Sequence, residues 1–275
     1  MIVAAADADL ERRFGGLRRL YGDTGYARLR AARVAVVGVG GVGSWAAEAL
    51  ARCGVARLVL IDLDHVSESN VNRQVQALGR TLGQAKVQAL RERIADIHPG
   101  CEVLAVEEFV APDNWPALLP APVDLVLDAC DQVRAKAALA AWSLREQVPL
   151  VCVGAAGGKR QAQRVEVADL AEATHDPLLA GLRQRLRKHA GASRQGAIGV
   201  RCVFSRESVS PPAAACAPGE PGAPPPASDG SLNCEGYGSS VMVTATFGMV
   251  AAGEAVEALW RQPARDGAGK NADIM

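Results

Sequence analysis

The residues best suited to chemistry begin with Gly38-Val39-Gly40-Gly41-Val42-Gly43. An apolar run, RVAVVG at 33–38, leads into them, and SWAAEALARC at 44–53 follows with helical character. A glycine-rich loop between strand and helix lets backbone approach phosphates and aims free N–H groups at them. The next apolar run, RLVLID at 57–62, ends in Asp62, roughly 20 residues on, where an acid takes ribose hydroxyls. Nicotinamide and flavin dinucleotides and ATP all fit this much. Asp64, Ser69-Asn70-Val71-Asn72-Arg73-Gln74 and Lys86 then separate them. A dinucleotide's pyrophosphate is largely served by the helix N-terminus. A triphosphate carries about four negative charges, and clustered Arg, Lys and Asn donors are the means of holding it. A further run, VDLVLD at 123–128, leads into Asp128-Ala129-Cys130-Asp131. That places a carboxylate beside the glycine loop, where Mg²⁺ bridging phosphates takes an oxygen ligand.

These residues need a scaffold that brings strand ends together. Apolar runs at 33–38, 57–62, 102–106, 123–128 and 149–154 are mostly rich in Val, Leu and Ile without alternation, as for parallel strands covered on both faces. Helical stretches at 44–53, 84–97 and 133–145 lie between them. The alternation predicts an α/β fold: a Rossmann-like, doubly wound, mainly parallel sheet with helices on both faces. Further strands are expected at 163–167 and 200–204, extending the sheet in antiparallel fashion, with a charged helix at 176–189 between them and a final helix at 239–260. The chain reads as a single domain with an N-terminal helical arm (1–32), an ATP-binding core (33–154) and a substrate and dimer part (155–260). The Pro/Ala/Gly tract at 211–229 has almost no means of forming a core and reads as a flexible loop within 208–230. The tail at 261–275 reads as loose.

Composition excludes several classes. Lys+Arg and Asp+Glu are both 30, so a nucleic-acid role needs a local basic patch rather than overall charge. The 7 cysteines are odd in number and none are spaced as CxxC, which argues against a disulfide framework and against zinc. The first residues mix Ala with Asp, Glu and Arg and lack the apolar stretch of a signal peptide, so a cytoplasmic location is expected. The uncharged stretch 236–253 is diluted by Ser, Thr and Gly; a buried, closely packed helix is expected there over a membrane anchor.

The ordered set GVGGVG, DLDHVSESNVNRQ, GQAK and LDACD resembles that of the ubiquitin-activating-like adenylyltransferases, which include the thiamine and molybdopterin sulfur-carrier activators. The resemblance implies ATP with Mg²⁺, attack of a carboxylate on the α-phosphate, and release of pyrophosphate. By matching motif it implies that Gly38, Gly40, Gly41 and Gly43 line the phosphates and that Asp62, with Asp64 beside it, serves the ribose. Asn70, Arg73, Gln74 and Lys86 then grip the triphosphate, and Asp131 serves the metal. Arg13, in ERRFGG, matches an arginine that family members insert into the partner subunit's site, implying a homodimer.

RFGGLRRLYG at 13–22, GGVGSWAAEALAR at 40–52, VAPDN at 110–114, VRAKAALAAW at 133–142 and MVTATFG at 242–248 extend the match over nearly the whole chain. They are similar to one branch, the tRNA threonylcarbamoyladenosine dehydratases. That branch implies adenylation of the carboxylate of a threonylcarbamoyl group on the adenosine beside the anticodon, followed by cyclisation with loss of AMP. The alternative is an adenylyltransferase for the C-terminus of a ubiquitin-like sulfur-carrier protein. Those relatives commonly carry paired CxxC zinc ligands and a crossover cysteine, both absent here. A basic segment after Gly154 holds the candidate tRNA contacts Arg183, Arg187 and Lys188, which share a helix face by spacing. Cys234, in LNCEGYG, is a candidate reactive thiol that the cyclisation itself does not need. Family association with sulfur transfer makes a cysteine desulfurase or sulfur acceptor a candidate partner.

Overall fold

The computed structural model describes residues 8–210 and 237–261. The start of the expected N-terminal arm, nearly all of the expected flexible loop, Cys234 and almost all of the expected tail lie outside these residues. One sheet of seven strands runs through the protein: β1 (Arg33–Val37), β2 (Arg57–Ile61), β3 (Glu102–Val106), β4 (Leu125–Asp128), β5 (Leu150–Val153), β6 (Val165–Asp169) and β7 (Arg201–Ser205). Its spatial order is β3-β2-β1-β4-β5-β7-β6. All neighbours pair in parallel except β6 with β7, which are antiparallel. The strand order reverses between β1 and β4, the switch point outside which open α/β sheets bind ligands.

Alternation along each strand divides the core in two. Val34, Val36, Leu58, Leu60, Leu125 and Leu127 face α3 (Gly43–Arg52), α4 (Lys86–Ile97) and the last helix, α7 (Val241–Arg261). Ala35, Val37, Val59, Ile61 and Val126 face the other way, toward α5 (Val133–Glu146) and α6 (Pro177–His189). Buried on both faces, these strands need the unbroken apolar runs seen in the sequence.

Most boundaries shift by one or two residues from the sequence reading, and three shifts have a visible cause. The helix expected from 84 starts at Lys86, because Ala85 bridges His65 and Gln84 accepts a bond from the Val66 N–H. The strand expected at 163–167 is Val165–Asp169, since Ala162–Arg164 form a 3₁₀ turn first. Asp176 is the N-cap of α6 rather than its first residue, accepting from the Leu179 N–H, with Pro177 at the first helical position.

α7 is the one described helix long and apolar enough to cross a membrane. One face, including Val243, Phe247, Ala251 and Ala255, is buried in the core. Gly248 lets it lie close to α3: a Cβ there would stand 2.6 Å from the Val42 carbonyl oxygen. Its other face exposes Met242 and Met249. The chain reaches α7 through a backbone junction at Gly158, whose oxygen accepts from the Ser210 N–H at 2.8 Å and whose N–H donates to Gly238 at 2.9 Å.

The N-terminal helix α1 (Leu10–Phe14) docks on the C-terminal end of α4 through Arg13. The next, α2 (Arg18–Ala31), reaches His98 just beyond α4 and packs on the end of α7, where Tyr21 meets Trp260 and Arg28 donates to the Trp260 carbonyl. Phe14 packs against His98, with ring centroids 4.6 Å apart. The Arg30 guanidinium lies 2.9 Å from His98 Nε2, so Nε2 accepts and the ring proton sits on Nδ1. Burial, with Arg30 and then Arg13 adding to it, pushes the His98 pKa down to about 4 from 6.5. Between those values the unfolded chain takes up a proton that the folded chain refuses, so stability falls as pH drops through that window. Denaturant midpoints measured from pH 7 to pH 4 should show this slope, and His98→Gln should flatten it; an unchanged slope in the variant would refute the assignment.

Candidate active site

A cleft of about 390 Å³ opens at the carboxyl ends of the first five strands. Its walls are the segments that leave β1 (Gly38 to Val42), β2 (Asp62 to Gln74), β3 (Glu108 to Val110), β4 (Ala129 to Gln132) and β5 (Gly154 to Gly157). Lys86 at the start of α4 and Thr244 on α7 complete it.

The glycine loop is held at both polar ends of one residue. The Val39 N–H donates to Asp62 Oδ2 at 2.8 Å, and its carbonyl accepts from Gln76 Nε2 at 2.8 Å. Gly38 has φ +80°, and a Cβ there would meet the Ala129 carbonyl oxygen at 2.9 Å, so only glycine seats this loop against the β4 segment. Asp62 is nearly buried and also accepts from the Asp64 N–H at 2.9 Å. Burial pushes its pKa up, and Lys86 and the two backbone N–H groups oppose that. Each carboxylate oxygen keeps a further lone pair for a ligand hydroxyl.

Two cations stand on the cleft wall. Lys86 Nζ donates to Asp64 Oδ2 at 2.6 Å, and its ammonium has further donors for phosphate oxygens. Lys86 is also the first residue of α4, so the positive end of that helix's dipole adds to its charge. Arg73 hooks the Ser69 carbonyl and Asn72 Oδ1 through Nη1 alone. Trp45 fixes its backbone by donating to the Arg73 carbonyl at 2.9 Å. Asn70 Oδ1 caps the Ser67 N–H at 3.1 Å, which leaves its NH₂ as the free donor. Gln74 lines the cleft and is buried.

The fourth strand carries two carboxylates with different duties. Asp128 is fully buried against the ammonium of Lys136 at 3.1 Å, both side chains being 0% exposed. Asp131 is exposed on the cleft wall and makes no hydrogen bond or ion pair among the described residues. A magnesium ion that takes one or two carboxylates and the phosphates of its nucleotide suits Asp131, and the described residues offer no cluster of three acidic, histidine or cysteine groups for a protein-only metal cage.

Other expected residues lie elsewhere. Arg13 donates through Nη1 to the carbonyls of Asp96 (2.9 Å) and Ile97 (2.7 Å), at the C-terminus of α4, and lines no part of this chain's cleft. Arg183 is half-buried and donates to the carbonyls of Leu170 and Ala173; Arg187 reaches the Ser193 carbonyl, and Lys188 is exposed. Sequence reasoning missed Gln76 and Lys136. Lys136 left a trace: it lies on the same helical stripe as Leu139, Ala140 and Ser143, all buried.

The ThiF family model matches residues 13–273. The chain belongs to the ThiF family. Among ThiF-family relatives, it is 43% identical over 272 residues to the tRNA threonylcarbamoyladenosine dehydratase of Escherichia coli, covering 97% of this chain and 100% of that one. The Haemophilus influenzae protein of the same name is 37% identical over 94% of this chain and 98% of its own length. The E. coli dehydratase in complex with ATP has the same fold: TM-score 0.79 and 41% identity, covering 94% of this chain and 96% of that one. The molybdopterin-synthase adenylyltransferase of E. coli, also similar to this ThiF-family chain, matches 46% of it at 39% identity.

Proposed function

We propose that the protein is an ATP-dependent tRNA threonylcarbamoyladenosine dehydratase. The observation that carries this is the cleft itself. A glycine loop, Asp62, Arg73, Lys86 and Asp131 converge at the switch point, in a chain matched end to end by dehydratases named for that activity. Similarity to the sulfur-carrier activators spans only about half of each chain and supports adenylation chemistry in general.

In this reading Asp62 takes the ribose hydroxyls, the glycine loop lies along the phosphates, and Arg73, Lys86, Asn70 and Gln74 hold them. Neutralising a triphosphate lets an anionic carboxylate approach the α-phosphorus. One carboxylate oxygen bonds to that phosphorus, the bond to pyrophosphate breaks, and a mixed anhydride remains. A nitrogen or oxygen of the same modified nucleoside attacks the activated carbonyl carbon, AMP leaves with the carboxylate oxygen, and the nucleophile's proton is lost. The net change to the nucleoside is one water. Ring closure within one molecule needs no thioester, because the nucleophile is already in place. Asp131 would hold Mg²⁺, which supplies charge neutralisation at the phosphates when bound. Arg13 would act in the partner's cleft of a homodimer. A cytoplasmic setting fits the tRNA substrate.

The test is turnover of [α-³²P]ATP to AMP with tRNA that bears threonylcarbamoyladenosine or lacks it. AMP release confined to the modified tRNA, with loss of one water from the nucleoside, is the expected result. Release that ignores tRNA but needs a carrier protein ending in Gly-Gly would instead establish the sulfur-carrier reading. The same assay reads the basic helix: Arg187→Ala with Lys188→Ala should raise KM for tRNA and lower its log–log salt slope by roughly 1 to 2, leaving kcat nearly unchanged. An unaltered salt slope would remove α6 from the tRNA surface.

A further inference from the structure

The buried ion pair under the cleft has no place in the steps above. Lys136 Nζ lies 3.1 Å from Asp128 Oδ2, 2.7 Å from the Val153 carbonyl oxygen and 3.4 Å from the Asp128 carbonyl oxygen. Asp128 Oδ1 in turn accepts from the Cys130 N–H at 3.2 Å and from the Cys130 thiol at 3.0 Å. Asp128 ends β4 and Val153 ends β5. Three residues after Asp128 stands Asp131, and directly after Val153 comes Gly154, the start of the other cleft wall. A single ammonium on α5 therefore fastens two loops that, besides strand pairing, are joined here by the weaker bond of the Cys152 thiol to Asp128 Oδ2 at 3.4 Å. Asp128 folds the first of those loops so that Asp131 faces the cleft.

We propose that Lys136, acting through Asp128, is a positioning residue for adenylation: it sets the 129–132 and 154–157 walls at the separation the reacting carboxylate and α-phosphate require. This rests on the functional reading above. The tie acts on the β4–β5 side of the cleft, whereas the nucleotide is gripped from the β1–β2 side by the glycine loop, Asp62, Arg73 and Lys86. Loss of the tie should therefore slow the reaction far more than it weakens ATP binding, which the 129–132 wall touches only through the magnesium ion Asp131 would hold.

Lys136→Met alone leaves Asp128 buried without its cation and is prone to unfolding. The informative variant is Asp128→Asn combined with Lys136→Met. It removes both charges at similar volume and keeps an oxygen for the Cys130 N–H. With Tm near that of the wild type, kcat for tRNA-dependent AMP release should fall at least ~10-fold while KM for ATP stays within about 3-fold. Amide exchange should rise in 129–132 and 154–157 and stay unchanged in 38–43. A variant of native Tm with kcat within about 2-fold of wild type would overturn the proposal, as would a rise in KM without a fall in kcat. If the wild-type protein released no AMP with modified tRNA, the functional reading would fail, and the exchange pattern would still decide whether the tie holds the two walls.

Discussion

Arg73→Ala is expected to lower tRNA-dependent AMP release by about 10²–10³-fold, the cost of losing one donor aimed at developing charge in a protected site. Its guanidinium spends only Nη1 on the protein, on the Ser69 carbonyl and Asn72 Oδ1, so most of its donors are free to meet phosphate oxygens. Those two bonds are exposed and local, and Trp45 holds the backbone independently of the side chain. Stability should therefore change by no more than about 0.5 kcal/mol. Arg73→Lys should recover only part of the activity, because an ammonium cannot reproduce the planar fork. Turnover assays beside thermal melts separate the two effects. Near-normal turnover of Arg73→Ala would remove this residue from the mechanism.

Lys136→Met should produce the largest loss of stability. Asp128 would keep its bonds from the Cys130 N–H and the two neighbouring thiols but would lose the only cation that reaches it among the described residues. Breaking one side of a buried pair costs about 3–5 kcal/mol. For a domain of this size that is on the order of 10 °C in Tm. Burial works against the charge of Lys136, yet Asp128, by charge and hydrogen bond, together with the neighbouring Cys152 and Cys130 holds the lysine well above its ordinary pKa, so the lysine stays protonated in the wild type. Calorimetry or circular dichroism melts would check the size of the loss, and the paired substitution described above should recover most of it. A drop under about 1 kcal/mol for the single variant would mean that the site relaxes or admits water.

How much of this was legible beforehand follows the range of each interaction. Four of the parallel strands, β1, β2, β4 and β5, announced themselves because both faces of the sheet are covered there, and a covered strand can afford no polar alternation. The cleft-lining residues proposed to hold ATP were legible because most sit in two short stretches, Gly38 to Gly43 and Asp62 to Lys86. Residues whose meaning depends on a distant partner were not. The sequence reading gave Asp131 to the metal by its motif and left Asp128 without a role. Only the third dimension shows that Asp128 is consumed by Lys136 and that Asp131 alone faces the cleft. Gln76 gave no signal, since its bond to the Val39 carbonyl spans 37 positions of chain. Arg183 shows the opposite case. Its spacing with Arg187 suggested a free basic face, whereas its guanidinium is engaged by two carbonyls of the loop that follows β6.

The junction at Gly158 bears on how this protein can vary. Ser210 and Gly238 bond to the oxygen and the N–H of the same residue, so the chain leaves and rejoins the fold at one point. Among the described residues, the position of α7 is set by its packing on α3 and by the anchor at Gly158. Closing a longer loop costs only about 0.6 kcal/mol per doubling. A change of chain length between Ser210 and Gly238 should thus leave the cleft unchanged.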